Sequence, residues 1–401
     1  MAALKQGKQA ILEKNDNDVV IVSALRSPIT RAKKGGLAQC CPEEMLGNVF
    51  KAVIAQSKID PALVQDIAVG NVLPPGGGAT VARMAALWAG FPSSTAVNTL
   101  NRQCSSGLAT INQIANEITV GQIDIGIGAG VESMTQNYGA GVMPEKMSDA
   151  VMENEEAADC LLPMGITSEN VAKKYNVDRK KQDAFAANSY AKAVKAQKEG
   201  YFKSEIVPIT YEDDEGNKRT IEIDDGIREG VTAESLAKLK PAFDKDGFTT
   251  AGNASQVSDG AAAVLLARRS VAKKLGLPII GKYVTGAVVG VPPNIMGVGP
   301  AYAIPKVLEL AGLSKDDVDV WEINEAFASQ AVYSIEHLGL DFAKVNQNGG
   351  AIAFGHPLGA SGARIASTAL AIAKRTGGKI ICESMCIGTG MGMAGIIVNE
   401  Q

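Results

Sequence analysis

Six cysteines and two histidines in 401 residues leave few groups able to carry nucleophilic or acid–base chemistry. Cys104 stands in Asn101-Arg102-Gln103-Cys104-Ser105-Ser106-Gly107. Thr95 to Leu100 before it reads as a strand; after it, Leu108, Ile111, Ala115 and Ile118 recur on one helical face. The spacing predicts a cysteine at a strand-to-helix turn, beside free backbone N–H groups and the positive end of a helix dipole. A lowered thiol pKa and a nucleophilic sulfur are expected there, with a backbone N–H able to meet an acyl oxyanion. A buried structural cysteine is the plain alternative; the polar, Ser-rich flank favours the nucleophile.

His356 lies in Gly349-Gly350-Ala351-Ile352-Ala353-Phe354-Gly355-His356-Pro357-Leu358-Gly359, ahead of a helix expected from about Ser361 to Lys374. A histidine fixed between Gly and Pro suits a general base or an oxyanion donor, against the bland reading of a satisfied loop residue. His337, in Ser334-Ile335-Glu336-His337-Leu338, reads as a helical surface residue. Cys386 sits in Ser384-Met385-Cys386-Ile387-Gly388-Thr389-Gly390-Met391-Gly392, after the apolar Ile380-Ile381. Gly390-x-Gly392-x-x-Gly395 matches the dinucleotide fingerprint by letter, yet too few residues follow for the helix, second strand and ribose-binding acid it requires. These glycines instead let backbone pass close to a centre beside Cys386. Asn324, at the end of an apparent strand, could hold a water or polarise a carbonyl; capping the next helix is an equal alternative. Cys40, Cys41, Cys160 and Cys382 have no activating context, although a redox pair of Cys382 and Cys386 is a rival reading.

The elements that must position these groups follow a strand, Gly-rich turn, helix rhythm from Val19. Val19-Val20-Ile21-Val22 is apolar throughout, as a strand buried on both faces requires. Leu46, Val49, Phe50 and Val53 recur at helical spacing. The stretch from about Gln136 to Phe248 changes character, with charge clusters at Glu153 to Asp159 and Glu212 to Arg219 and a helix opening at Asp178 and stopping at Gly200. It reads as an inserted lobe. Asp66-Ile67-Ala68-Val69-Gly70-Asn71 resembles Asp319-Val320-Trp321-Glu322-Ile323-Asn324 at an offset of 253, and Ser105-Ser106-Gly107-Leu108-Ala109 resembles Ala360-Ser361-Gly362-Ala363-Arg364 at 255. Nearly one offset, in one kind of context, suggests two similar α/β halves.

Composition bounds the partners. Net charge is −4, with no basic stripe for nucleic acid or an anionic surface. Hydrophobic residues make up 46% and charged residues 20%, the balance of a folded chain with a large core. No apolar run reaches the roughly 18 residues of a membrane span. There is no C-x-x-C or His-x-x-x-His, so no metal site is expected. Residues 1–17 read as a loose N-terminal arm, without transit-peptide or secretory character, and the last residues, Val398 to Gln401, are not a Ser-Lys-Leu address.

Taken together, Asn101 to Gly107, Asn324-Glu325-Ala326-Phe327, Asn348 to Pro357 and Cys386 to Gly392 resemble, in order, the four signature blocks of the thiolase family. The resemblance covers nearly the whole chain from Val19. It implies an α/β fold of two duplicated halves, with mixed central sheets sandwiching helices in five αβαβα layers, plus an inserted loop domain. The boundaries expected are 1–17 for the arm, 18–135 with 249–276 for the first half, 136–248 for the insertion that binds coenzyme A, and 277–401 for the second half.

The resemblance further implies Cys104 as the acyl-thioester nucleophile and His356 as its base and an oxyanion donor. Cys386 would be the acid/base, Asn324 the holder of an oxyanion water, and Gly388 a backbone oxyanion donor. Met164, Arg228, Ser235, Phe243 and Ser255 would line the substrate and coenzyme A path. Coenzyme A is then a substrate, no cofactor is required, and the partner is a second copy of the chain, as a homodimer or larger homo-oligomer. Pro163-Met164, and Thr250-Ala251-Gly252-Asn253-Ala254-Ser255, are similar to the branch that cleaves 3-ketoacyl-CoA in peroxisomes, fungal members especially. An acetoacetyl-CoA-forming member and an inactive lipid carrier are the alternatives. Residues 1–17 contain no His, so the Arg-Leu-x5-His-Leu address usual in that branch is not legible; peroxisome is expected by resemblance, cytoplasm or mitochondrion otherwise.

Overall fold

The structure, a computed structural model, describes residues 7–139 and 146–401; the parts of the arm and of the inserted lobe at 1–6 and 140–145 lie outside them. The strands in chain order are β1 (Val19–Arg26), β2 (Thr30–Arg31), β3 (Asp66–Gly70), β4 (Ala96–Leu100), β5 (Ile125–Ser133), β6 (Ile209–Glu212), β7 (Lys218–Ile221), β8 (Ser258–Arg268), β9 (Gly281–Gly290), β10 (Val320–Ile323), β11 (Ile380–Ile387) and β12 (Met391–Asn399). Nine of them run β10-β11-β12-β9-β1-β8-β5-β3-β4, with β2 on β8, and β6 and β7 form a separate hairpin.

The duplication is visible in this order. In the first half β3 is parallel to β5, then β5/β8 and β8/β1 are antiparallel. In the second half β10 is parallel to β11, then β11/β12 and β12/β9 are antiparallel. The place of β4 beside β3 is taken by a parallel bridge from Trp321 to Val345. The segments matched at offset 253 are β3 and β10, each followed by a buried asparagine, Asn71 and Asn324. Pairing of Val19–Ile21 with Gly281–Tyr283 joins the halves edge to edge, so the two expected sheets form one continuous run.

Both faces of the run are covered over β1, β5 and β11, which is why these strands are buried along their whole length and largely apolar; the edge strand β4 is not. On β1, Val20 and Val22 pack outward with Leu46, Val49, Phe50 and Val53 of the helix Pro42–Ser57. Val19 and Ile21 pack inward with Ile111, Ile114, Ala366 and Leu370 of the helices Ser106–Thr119 and Leu358–Thr376. The second half carries its own outer helices, Gly299–Ala311 and Ala328–Leu338, over Ile323, Ala394 and Ile396. Helices, sheet, central helices, sheet, helices make five layers.

The two central helices touch at the glycines of the segments matched at offset 255. A Cβ on Gly107 would stand 2.7 Å from the Ala363 nitrogen and 2.8 Å from the Gly359 carbonyl oxygen, and one on Gly362 would overlap Leu108. Only Gly lets these helix N-termini meet. One of them follows Cys104 and the other follows His356.

Two expectations are corrected. Residues 7–17 are not loose: Gly7 N–H donates to the Ala311 carbonyl at 2.9 Å, Ile11 is buried, and the Lys282 ammonium donates to the Glu13 carbonyl at 2.6 Å. A five-residue helix, Lys8–Leu12, docks this segment on the second half. The His356 helix starts at Leu358 rather than Ser361, because the Pro357 carbonyl already accepts the Ala360 and Ser361 N–H groups. The helix from Asp178 is as expected: the Asp178 carboxylate accepts the Lys181 N–H at 2.8 Å and caps Arg179–Lys198. The Gly390, Gly392 and Gly395 fingerprint falls on a turn and on β12, an antiparallel strand with no helix after it.

Candidate active site

Cys104 follows a residue in the left-handed region, Gln103, with φ 48°. Such a conformation costs about 1 kcal/mol or more in a non-Gly residue and has to be imposed by its surroundings. The imposing groups are local. Gln103 N–H donates to Asn101 Oδ1 at 2.9 Å, Arg102 N–H donates to Ser106 Oγ at 2.9 Å, and Ser106 Oγ donates to the Gln103 carbonyl at 2.6 Å. The Ser-rich flank thus holds the turn. The backbone N–H groups of Gly388 and of Cys104 itself act on the thiol, both lowering its pKa.

The expected lowering of the Cys104 pKa is overturned. Cys104 is 8% exposed, and burial pushes its thiol up to about 11, with the Gly388 and Cys104 N–H groups opposing and the Glu132 charge adding to the rise. Desolvation of a thiolate outweighs the two N–H dipoles beside it. At neutral pH the group therefore carries its proton.

His356 is held in one orientation by its surroundings. Its loop turns at Gly355, φ 113°, and is pinned by the His356 N–H to the Gln256 carbonyl at 3.2 Å. The Ser361 hydroxyl donates to the Pro357 carbonyl at 2.9 Å, so it accepts from His356 Nδ1–H, 2.6 Å away. This fixes the tautomer and leaves Nε2 as the basic nitrogen, 3.3 Å from Asn324 Nδ2. Burial, then the nearby Arg364 cation, lowers the His356 pKa to about 3, so the ring is neutral.

Asn324 does not cap a helix: the next one, Ala328–Leu338, has Phe327 at its cap. Its Oδ1 is buried and has no hydrogen-bond partner among the described residues, an acceptor left free.

Cys386 lies within β11 and is fully buried, its pKa raised by burial and then by the Cys104 charge. The side chains alternate along the strand: Met385 and Ile387 pack with Cys104, whereas Cys386 packs with Met164, Met296, Ala326 and Phe327. Gly388 follows at the turn, beside Gln103 and Met164. Cys382 is four residues away on the same strand, about 13 Å at the rise of a β-strand, against a disulfide span of about 7 Å at most. The redox-pair reading fails on that distance.

The expected coenzyme A residues divide. Met164 and Phe243 reach the site: Phe243 packs edge-on to Phe327 at 6.4 Å and against Gly165. Ser255 lies beside it, its N–H donating to the Ala326 carbonyl at 3.0 Å. Ser235 sits in the capping box of a short exposed helix, Ala233–Ala237, whose Leu236 rests on Gly252. Arg228 is exposed, and it has no hydrogen bond or ion pair among the described residues. Among the described residues neither Ser235 nor Arg228 is hydrogen-bonded to Cys104, His356, Asn324 or Cys386. His337 is exposed and stacks on Tyr333, as a surface residue.

Sequence reasoning missed Ser361, Met296 and Glu132. A hydroxyl five residues after His356 in the first helical turn was a usable signal for the first, and a lone carboxylate near the end of a largely apolar strand, β5, for the last. Met296 carried none. Among the described residues no group of three His, Cys, Asp or Glu side chains could hold a metal ion, and no helix is long and apolar enough to cross a membrane.

The fold and the turn chemistry place this chain in a known class. It matches the thiolase N-terminal domain over residues 19–270 and the thiolase C-terminal domain over 277–399, and it belongs to the thiolase family. It is 57% identical over 399 residues to the peroxisomal 3-ketoacyl-CoA thiolase of Yarrowia lipolytica, covering 98% of this chain and 96% of that protein. The dimeric peroxisomal thiolase of Saccharomyces cerevisiae superposes with a TM-score of 0.92 at 53% identity, over 98% of this chain and 100% of that one. A second structure of peroxisomal 3-ketoacyl-CoA thiolase from that yeast, described as five-layered from two core domains of identical topology, gives 0.81 at 49% identity, over 97% and 100%.

Proposed function

We propose that the chain cleaves 3-ketoacyl-CoA by thiolysis, giving acetyl-CoA and an acyl-CoA shortened by two carbons, in peroxisomal fatty-acid β-oxidation. The observation that carries this is the approach of Cys104, from the first half, to Gly388 and Cys386, from the second, which also sets Asn324 Nδ2 3.3 Å from His356 Nε2. The relatives named for this activity, 57% identical in one case, support the same substrate class.

In the proposed cycle Cys104 Sγ attacks the 3-keto carbon as its proton passes to His356 Nε2. The new Nε2–H and a water held by Asn324 then face the oxyanion. The C2–C3 bond breaks, leaving an acyl group on Cys104 and the enolate of acetyl-CoA, which Cys386 protonates at carbon. The incoming coenzyme A thiol gives its proton to the Cys386 thiolate and attacks the acyl-Cys104 carbonyl, whose oxygen meets the N–H groups of Cys104 and Gly388. Cys104 leaves and recovers its proton from His356, so protons and charge balance. Preorganised donors matter because the thioester enolate is a high-energy leaving group. Coenzyme A is a substrate, and no step written here uses a cofactor.

The same reading divides the chain as 1–17, 18–135 with 249–276, 136–248 and 277–401, the third segment with Met164, Arg228, Ser235 and Phe243, and with Ser255 just after it, receiving coenzyme A. Support comes from the ties of that path to the site: Glu169 accepts the Thr249 N–H at 2.7 Å, and the Ala328 N–H donates to Asn253 at 2.9 Å. It also makes the protein a homodimer joined at β4. Among the described residues that strand is hydrogen-bonded on one side only, and the helix Ala79–Ala89 beside it exposes Met84, Leu87 and Trp88 at helical spacing.

The test is a rapid-mixing assay with a long-chain 3-ketoacyl-CoA and with acetoacetyl-CoA. A burst of one acetyl-CoA per chain, with faster turnover of the longer substrate, is expected. No burst, or cleavage of acetoacetyl-CoA alone, would count against the reading.

A further inference from the structure

Glu132 is the last residue but one of β5, whose residues up to Val131 are Ile, Gly, Ala and Val, and it is 1% exposed. A carboxylate there is costly unless its oxygens are bonded. They are bonded entirely to backbone. Oε2 accepts Val72 N–H at 3.0 Å and Gly359 N–H at 2.9 Å, and Oε1 accepts Leu73 N–H at 3.1 Å.

These partners belong to the two carriers of the chemistry. The Val72 carbonyl accepts from Asn101 Nδ2 at 3.1 Å, and Asn101 in turn fixes the Gln103 N–H in the Cys104 turn. Gly359 lies in the first turn of the helix after His356. Two residues earlier on β5, a Cβ on Gly130 would overlap the Gly359 carbonyl, so the helix end is seated on this strand. One carboxylate therefore bridges the loop behind the nucleophile and the helix behind the base, across the junction of the halves.

We infer that Glu132 is a positioning residue of thiolysis, holding the Cys104 turn of one half against the His356 helix of the other. The inference rests on the reaction proposed above. Burial raises the Glu132 pKa to about 7, opposed by its three N–H donors and assisted by the charge of Asp259. Asp259 is itself held by Thr135 and Ser133. The Glu132 charge acts on the sulfur as well, raising the Cys104 pKa. Removing that charge should make the sulfur easier to ionise while loosening its alignment, two effects of opposite sign on reactivity.

Glu132→Gln keeps an acceptor for Val72 and Gly359 but sets an amide NH2 against the Leu73 N–H; Glu132→Ala removes all three bonds. In the intact dimer, Glu132→Gln should slow the acetyl-CoA burst about tenfold, a modest cost for misalignment, and Glu132→Ala should slow it further. The pH profile of Cys104 alkylation by iodoacetamide should move to lower pH in Glu132→Gln, which a merely structural role would not produce. A burst within about twofold of wild type, or an unmoved alkylation profile, would overturn the inference. If Glu132→Ala fails to fold, Glu132→Gln alone decides. Absence of a burst in the wild-type protein would instead refute the proposed reaction and leave the hydrogen-bonded bridge standing.

Discussion

The two halves repeat one topology and differ in what they place at its corresponding points. After β3 stands Asn71, whose N–H donates to the Leu100 carbonyl; after β10 stands Asn324, which faces His356. Near the end of β5 is Glu132, holding three backbone N–H groups; near the end of β11 is Cys386, turned into the cluster of Met164 and Phe327. In the proposed cycle the first half offers one reactive group, Cys104, and the second offers the base His356, the amide Asn324, the acid Cys386 and the Gly388 N–H. Duplication supplies a scaffold with two helix N-termini in contact, and the chemistry comes from making those ends unlike.

That contrast can be broken at its points of contact. Cys104→Ala should remove the acyl-enzyme and cost about 10⁴-fold or more in turnover, read as loss of the burst; an undiminished burst would move the nucleophile elsewhere. Cys386→Ser should cost about 10²–10⁴-fold in carbon–carbon cleavage, the range for a lost acid or base, while Cys104 still takes an acetyl group from acetyl-CoA. Equal loss of both steps would contradict the division of labour between the halves.

Gly362→Ala wedges the central helices apart and should destabilise the fold by about 1–3 kcal/mol, as overpacked cores do, with a larger fractional loss in burst rate than a solvent-exposed Gly377→Ala control. Ser361→Ala frees the His356 ring and should cost roughly tenfold in kcat with little change in KM; an unchanged kcat would show that the tautomer is fixed by something else. The pH dependence sharpens the same point. Because burial raises the Cys104 thiol to about 11, its alkylation should keep accelerating up to pH 10 instead of levelling off near neutrality. With His356 lowered to about 3, an acid limb of kcat/KM between pH 5 and 7 should survive Ser361→Ala, since it does not report that ring.

The strands, the central helices and the duplication were legible because each leaves a local trace: apolar runs for strands buried on both faces, helical spacing in Leu108 to Ile118, and paired Gly107 and Gly362. The turns around Cys104 and His356 were legible from Gly, Pro and Ser. The Cys104 pKa was not, because the helix dipole is local and visible in sequence, whereas the burial that outweighs it is assembled from Leu108, Ile365, Met385 and Met393, far apart in the chain. The docking of residues 7–17 escaped for the same reason: one buried Ile11 carries too little pattern to read. The bonds of Glu132 to Val72, Leu73 and Gly359 are to backbone, which leaves no residue-type signature at the partner positions.

The most direct test of the account is to quench the protein during turnover of a 3-ketoacyl-CoA and map the acyl adduct by peptide mass spectrometry. The account predicts the shortened acyl group on the peptide carrying Cys104 and none on the peptide carrying Cys386. An adduct on Cys386, or its persistence in Cys104→Ala, would contradict it.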